Sequence, residues 1–164
     1  MKKQLLEIPI VTSAGEFLAR YSKKGLVELD FPKVDPSVNP ATRQRRPTKM
    51  TGWHKLTSSS LKSILAGHVP KQLPPLDLTG TDFQKSVWRA LQKISPGQTQ
   101  SYGEIARAIG RPKAVRAVGG ACGANPVPVL IPCHRVLAAD GKIGGFSGGL
   151  SWKRVLLARE GVKV

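Results

Sequence analysis

Two capping boxes constrain the second half of this chain more than any other feature. Thr81-Asp-Phe-Gln84 and Ser101-Tyr-Gly-Glu104 each place a hydroxyl three residues ahead of a side chain that reaches back. That reciprocal pattern satisfies the free amides at the start of a helix. After the first box, Phe83, Val87, Ala90, Leu91 and Ile94 keep helical spacing until Ser95-Pro-Gly97 stops them. After the second, Ile105, Ala106 and Ile109 do the same until Gly110. Arg111-Pro112 then opens a third helix, predicted from about Lys113 to Cys122, with proline at a favourable first-turn position. Two short helices across a tight glycine-containing turn form a helix-turn-helix pattern; a helical hairpin with no role on DNA has the same spacing.

The first half follows a different rule. Leu5, Leu6, Ile8, Ile10 and Val11 form one apolar run, and Leu26, Val27, Leu29 and Phe31 another. With Gly15 and Gly25 in the turns, residues 4–11 and 17–31 are predicted as short strands. Residues 32–52 carry four prolines and the cluster Arg43, Arg45, Arg46 and Lys49, which predicts a long basic surface loop. A helix is expected from about Ser58 to Ala66, and the proline-rich stretch 69–76 reads as a linker. Residues 1–78 are therefore expected to form a small supporting domain and 79–164 a second, mostly helical one. In the latter, the run from Pro126 to Pro132 is expected to be extended, because each proline biases its predecessor away from helix. Residues 144–149 read as a flexible glycine-rich loop, and Ser151 as the cap of a last helix carrying Trp152, Val155 and Leu156 up to Glu160.

Charge narrows the range of partners. Lys and Arg number 26 against 10 Asp and Glu, a formal net charge of +16. Thirteen basic and six acidic residues precede position 79, and thirteen and four follow it, so the excess of +7 and +9 is spread over both parts. Such a field attracts polyanions, of which nucleic acid is the commonest partner. Two cysteines cannot build a disulfide framework. The opening Met-Lys-Lys is interrupted by Glu7 and Pro9 before any long apolar region, and no stretch is long enough to cross a membrane. A soluble chain with no membrane partner is expected, in the cytoplasm, or in the nucleus of a eukaryote.

Chemistry centres on Pro132-Cys133-His134-Arg135-Val136. A thiol acts as a nucleophile only as thiolate, and a neighbouring base raises that fraction. Adjacent residues of an extended segment point to opposite sides, so His134 is expected to act through a bridging water. Its other ring nitrogen then needs an orienting partner. Glu160, a carboxylate placed unfavourably at the end of the last helix, is the candidate. Cys122 reads as a packing residue, and burial alone would also account for Cys133. His54 and His68 have no partners at metal-ligand spacing, so no metal site is expected. The glycine-rich loop lacks the spacing and lysine of a P-loop, and reads as a pliable wall beside a ligand.

The stretch from Gly119-Gly-Ala-Cys-Gly-Ala-Asn125 through Pro126 to Val136 resembles the signature of the O6-alkylguanine-DNA alkyltransferases, the methylated-DNA–protein-cysteine methyltransferases. The similarity extends over about residues 79–164 and includes Ser101-Tyr102-Gly-Glu-Ile-Ala and Gly148-Gly-Leu. It implies an α+β fold: a small N-terminal antiparallel sheet with a helix, RNase H-like, then a helical domain with a helix-turn-helix of winged-helix type. It also implies single-turnover DNA repair, in which Cys133 accepts the alkyl group from O6 of a guanine flipped out of duplex DNA. His134 and a water would be the base, with Glu160 as the orienting carboxylate. Asn125 would be the hinge between the DNA-binding helix and the active-site strand, and Tyr102 would donate a hydrogen bond to the guanine. Arg116 would fill the gap in the duplex, with Ala117, Gly119 and Arg135 on the DNA side. Val136, Ser147, Gly148 and Tyr102 would line the base pocket. No cofactor and a monomeric state are implied. The zinc ligands of some relatives are absent, since no cysteine precedes Cys122. A DNA-binding regulator without chemistry and a cysteine-histidine hydrolase are the alternative readings.

The charge generates a first prediction. Affinity for undamaged duplex, measured by fluorescence anisotropy, is expected to fall steeply as salt rises from about 50 to 200 mM. An affinity indifferent to salt would contradict polyanion binding by this surface.

Overall fold

The computed structural model describes residues 5–33 and 51–164. Alternation builds the first sheet. Strands β1 (Leu6–Thr12), β2 (Gly15–Tyr21) and β3 (Leu26–Asp30) pair antiparallel in that order, with Ile8 opposite Ala19 and Ala19 opposite Leu29. Ile8, Ile10, Phe17, Ala19, Tyr21, Leu26 and Leu29 are buried, whereas Arg20 binds Glu7, Glu28 and Asp30 at 3.0, 3.0 and 2.8 Å. The predicted strand 17–31 is thus two strands, divided around Gly25. The expected linker does not hang free. Leu26 N donates to Pro75 O at 2.8 Å and Asp77 N to Leu26 O at 2.9 Å, so Leu76 extends the sheet by one bridge beside β3.

Helix α1 (Thr51–Leu65) begins seven residues ahead of the expected start and takes in the end of the predicted loop 32–52. Its first turns lack an apolar stripe, and hydroxyls occupy core positions instead. Thr57 and Ser60 are buried and donate to the carbonyls of Trp53 and Leu56 at 2.8 and 2.6 Å, one turn back. Thr57 is satisfied within its own helix and Ser60 faces Gln72 O at 2.7 Å as well, which lets polar residues enter a core. The cluster Arg43, Arg45, Arg46 and Lys49 lies outside the described residues.

Both capping boxes form. Thr81 accepts from Gln84 N at 3.1 Å and starts α2 (Asp82–Leu91); Ser101 accepts from Glu104 N at 3.1 Å and starts α3 (Tyr102–Ala108). Gly110 stops the chain after α3 with φ +72. Helix α4 (Val115–Gly123) starts two residues later than expected. Pro112 lies in a turn closed by Ala114 N on Arg111 O at 2.9 Å, not in the first helical turn. The indole N–H of Trp88 donates to Ala121 O at 2.9 Å and ties α2 to α4.

The run after Asn125 is not extended throughout. Ile131 N bonds back to Val127 O at 2.9 Å around Val129, whose φ of +74 is rare for a β-branched residue. Val127, Val129, Leu130 and Ile131 are all buried, and their burial outweighs a local strain of about 1–3 kcal/mol. A 3-10 turn, Cys133–Arg135, then leads into β5 (Val136–Leu137), which pairs in parallel with β4 (Gln100–Ser101) just ahead of α3. Helix α5 (Leu150–Arg159) starts behind Gly149 with no side-chain cap; Ser151 is exposed inside it and not at its cap. Among the described residues, no helix is long and apolar enough to cross a membrane.

One apolar core runs through both parts of the chain. Phe17 from β2 packs on Phe31 at 5.5 Å and on Trp152 of α5 at 5.6 Å between ring centroids. Phe17→Ala is expected to cost about 3–5 kcal/mol in urea unfolding, since its ring is fully buried. Tryptophan fluorescence and far-UV circular dichroism should still report one coincident transition. Two separate transitions in the unsubstituted protein would contradict a shared core.

Candidate active site

Three consecutive residues of the 3-10 turn face three different tasks. Because the turn is helical and not extended, Cys133, His134 and Arg135 fan out around its axis, and all three are buried. Cys133 opens onto a cavity of about 300 Å³. Tyr102, Gly119, Cys122 and Gly123 line it from the helix-turn-helix side, and Gly145, Phe146 and Ser147 from the glycine-rich loop.

Behind the thiol lies a buried carboxylate. Glu160 follows the last turn of α5, where its side chain is fully enclosed. Its Oε1 faces His134 Nε2 at 3.0 Å and accepts from Arg135 Nη2 at 2.7 Å, and Arg135 Nε donates to both oxygens at 3.2 and 3.0 Å. Burial alone would raise the Glu160 pKa, yet the hydrogen bonds of His134 and Arg135 hold it at about 2. The carboxylate is therefore ionised and can only accept, so Nε2 of His134 carries the ring proton. Burial lowers the pKa of His134 and keeps the ring neutral. Its Nδ1 is then a lone pair, and among the described residues it has no hydrogen-bond partner. A neutral imidazole with one nitrogen held and the other free is ready to take a proton.

The thiol is less ready. Burial pushes the pKa of Cys133 up, against the Asn125 side chain and the charge of Lys153, which favour the thiolate. Burial and the neighbouring Cys133 push the pKa of Cys122 up as well, to about 12. Of the two cavity thiols, Cys133 is the one that shares its turn with His134. Asn125 donates through Nδ2 to Ile131 O at 2.8 Å and accepts from Val127 N at 3.0 Å. One side chain thus spans the turn between α4 and the Cys133 segment. Tyr102 is half-buried, and burial raises its pKa, so the phenol keeps its proton as a donor. Gly144 has φ +65, and a Cβ there would lie 3.2 Å from the Tyr102 hydroxyl.

The structure gathers most of the residues named from the sequence and reassigns three. Cys133, Tyr102, Gly119 and Ser147 line the cavity; His134, Glu160 and Asn125 form its buried support. Arg116 and Ala117 are exposed on α4. Arg135 does not reach the surface: it is committed to Glu160 and to Ile94 O at 2.6 Å. Val136 is fully buried behind the cavity wall. Gly148 lies under Phe31, whose ring a Cβ at that position would strike, and does not line the cavity.

Two contributors escaped the sequence reading. Phe146 lines the cavity, and Lys153 is fully buried, donating to Val136 O at 2.6 Å and Gly145 O at 3.1 Å. The available signal was periodicity, since Lys153 lies three and four residues before Leu156 and Leu157, on the buried face of α5.

Residues 82–162 match the family model described as 6-O-methylguanine DNA methyltransferase, DNA binding domain. The chain is 53% identical over 116 residues to the methylated-DNA–protein-cysteine methyltransferase of Mycolicibacterium paratuberculosis, covering 67% of this chain and 70% of that protein. It is 39% identical to the protein of the same name from Methanosarcina barkeri, over 98% and 97% of the two. The crystal structure of Mycobacterium tuberculosis OGT in complex with DNA is similar with a TM-score of 0.75 and 39% identity, covering 93% of this chain and 90% of that one.

The Glu160 pocket generates a prediction. Glu160→Gln is expected to lower stability at pH 7 by about 3 kcal/mol in urea titrations, because Arg135 loses its buried counter-charge. A carboxylate whose pKa falls from 4.5 to about 2 on folding stabilises fully above the first value and loses that contribution as pH drops towards the second. The gap between variant and parent should therefore narrow between about pH 5 and 2. A constant gap would contradict an ionised Glu160.

Proposed function

Because the chain belongs to the 6-O-methylguanine DNA methyltransferase family, we propose that it repairs DNA by moving the alkyl group of an O6-alkylguanine onto the sulfur of Cys133. The observation that carries this reading is a cavity-lining thiol backed by a neutral imidazole whose Nε2 is held by Glu160 and whose Nδ1 is free.

The chemistry follows from that proton arrangement. His134 Nδ1 takes the thiol proton through one bridging water, while Nε2–H goes on donating to Glu160, whose charge stabilises the imidazolium that forms. The thiolate attacks the alkyl carbon in line; the S–C bond forms as the C–O6 bond breaks. Guanine leaves with the electron pair, and the Tyr102 hydroxyl supplies the hydrogen bond that stabilises it. The positive charge of Lys153, set against burial, favours the thiolate at the start. The product is a thioether, which no group lining the cavity can reduce or hydrolyse, so each molecule acts once.

The substrate atom is stacked inside a duplex, so the nucleotide must be flipped out at a cost of a few kcal/mol. Arg116, exposed on α4, is suited to fill the gap and to attract phosphate. Ala117 and Gly119 on the same helix leave room for close approach to the minor groove. Asn125, spanning the turn from α4 to the Cys133 segment, holds the DNA-binding helix in register with the thiol. The partner is double-stranded DNA carrying O6-alkylguanine, and the protein acts as a monomer without a cofactor. Residues 1–78 support residues 79–164, where the chemistry is carried out. A thiol that must stay reduced suits the cytoplasm, or the nucleus of a eukaryote.

Incubation with an O6-methylguanine duplex should add about 14 Da, one methylene, to the peptide containing Cys133, at one equivalent and no more. Cys133→Ser should abolish the mass gain and retain affinity for DNA. Unmodified Cys133 after full incubation, or repeated turnover, would overturn the proposal.

A further inference from the structure

An aromatic side chain just past the first sheet packs behind the cavity wall. Phe31, just past β3, packs edge-on against Phe146 with ring centroids 5.6 Å apart and planes at 75°. Phe146 lines the cavity beside Cys133, and Phe31 does not; Phe31 therefore stands behind that wall. The same ring closes over Gly148, where an added Cβ would lie 2.5 Å from Phe31 Cε2. On its far side Phe31 is backed by Phe17 at 5.5 Å and Trp152 at 5.0 Å.

The glycine-rich loop has few other means of holding its shape. Lys153 Nζ grips it at Gly145 O at 3.1 Å, and a loop amide, Gly149 N, donates to Phe146 O at 3.0 Å. Neither bond restrains the Phe146 ring itself. A ring in a packed interior moves when the group behind it changes volume, because cores have few voids to absorb the change.

On the reading that this cavity receives an O6-alkylguanine, we propose that Phe31 is a specificity-determining positioning residue. It sets how far Phe146 stands from the Cys133 sulfur, and so how large an alkyl group the cavity accepts. Phe31 then acts on substrate choice through the Phe146 ring without itself lining the cavity.

The test compares transfer rates from O6-methylguanine and O6-benzylguanine in one duplex sequence, for the parent protein and for Phe31→Leu, Phe31→Trp and Phe17→Leu. Phe31→Leu, which frees space behind Phe146, should raise the benzyl-to-methyl rate ratio by about fivefold or more, within the range a methylene-sized change in a pocket produces. Phe31→Trp, which fills that space, should lower the ratio. Phe17→Leu disturbs the same aromatic cluster without touching Phe146, and should slow both transfers in proportion or leave both alone. Opposite shifts from the two Phe31 variants would support the inference, and either of them alone suffices if the other does not fold. An unchanged ratio in a folded Phe31 variant, or an equal shift in Phe17→Leu, would overturn it while leaving the alkyl-transfer reading intact. A parent protein that accepts neither group would overturn both.

Discussion

A carboxylate without water must be matched by hydrogen bonds and charge, and Glu160 is matched on every side that matters. An unpaired ion at this depth would cost several kcal/mol. Here His134 and Arg135, adjacent in one 3-10 turn, converge on it from a sequence separation of about 25 residues. Arg135 also reaches Ile94 O beyond α2, so the pair joins the ends of two helices to the active-site turn. The same contacts assign the imidazole proton. What stabilises the fold is also what leaves one histidine nitrogen free beside a buried thiol.

The cavity depends on a second compensation. Lys153 lies fully inside the protein with two carbonyl acceptors, one on β5 just after the Cys133 turn and one on the glycine-rich loop. Its charge opposes the effect of burial on both cavity thiols. The loop is thus held by a cation at Gly145, by aromatic packing at Phe146 and by close approach at Gly148. A segment rich in glycine becomes a defined wall through contacts supplied by other elements.

Local signals were legible in the capping boxes and at the glycine stop, where each partner lay within a turn. Thr81 with Gln84 and Ser101 with Glu104 specify their helix starts to the residue, and the glycine after α3 specifies a stop. Cys133 beside His134 and the carboxylate at the end of the last helix were visible as residue types in pattern, whereas Tyr102 entered only through the family resemblance. Misreadings arose where distant contacts overrode a local preference, and where polar residues took core positions inside a helix. The prolines from 126 to 132 favour an extended chain, yet burial of Val127, Val129 and Ile131 bends it. Thr57 and Ser60 hide the first half of α1 because their hydroxyls meet carbonyls one turn back. Arg135 reads as a DNA contact in a basic chain until Glu160 is found beside it.

Chemical identity, helix starts and the sign of the surface field are properties of neighbours along the chain, and the linear order of residues was enough to establish them. Which charges are buried, which nitrogen of His134 is free and which ring stands behind the cavity wall depend on groups brought together from far apart. Those were settled only on folding, because the cost of removing a charge or a polar atom from water is set by what surrounds it in space.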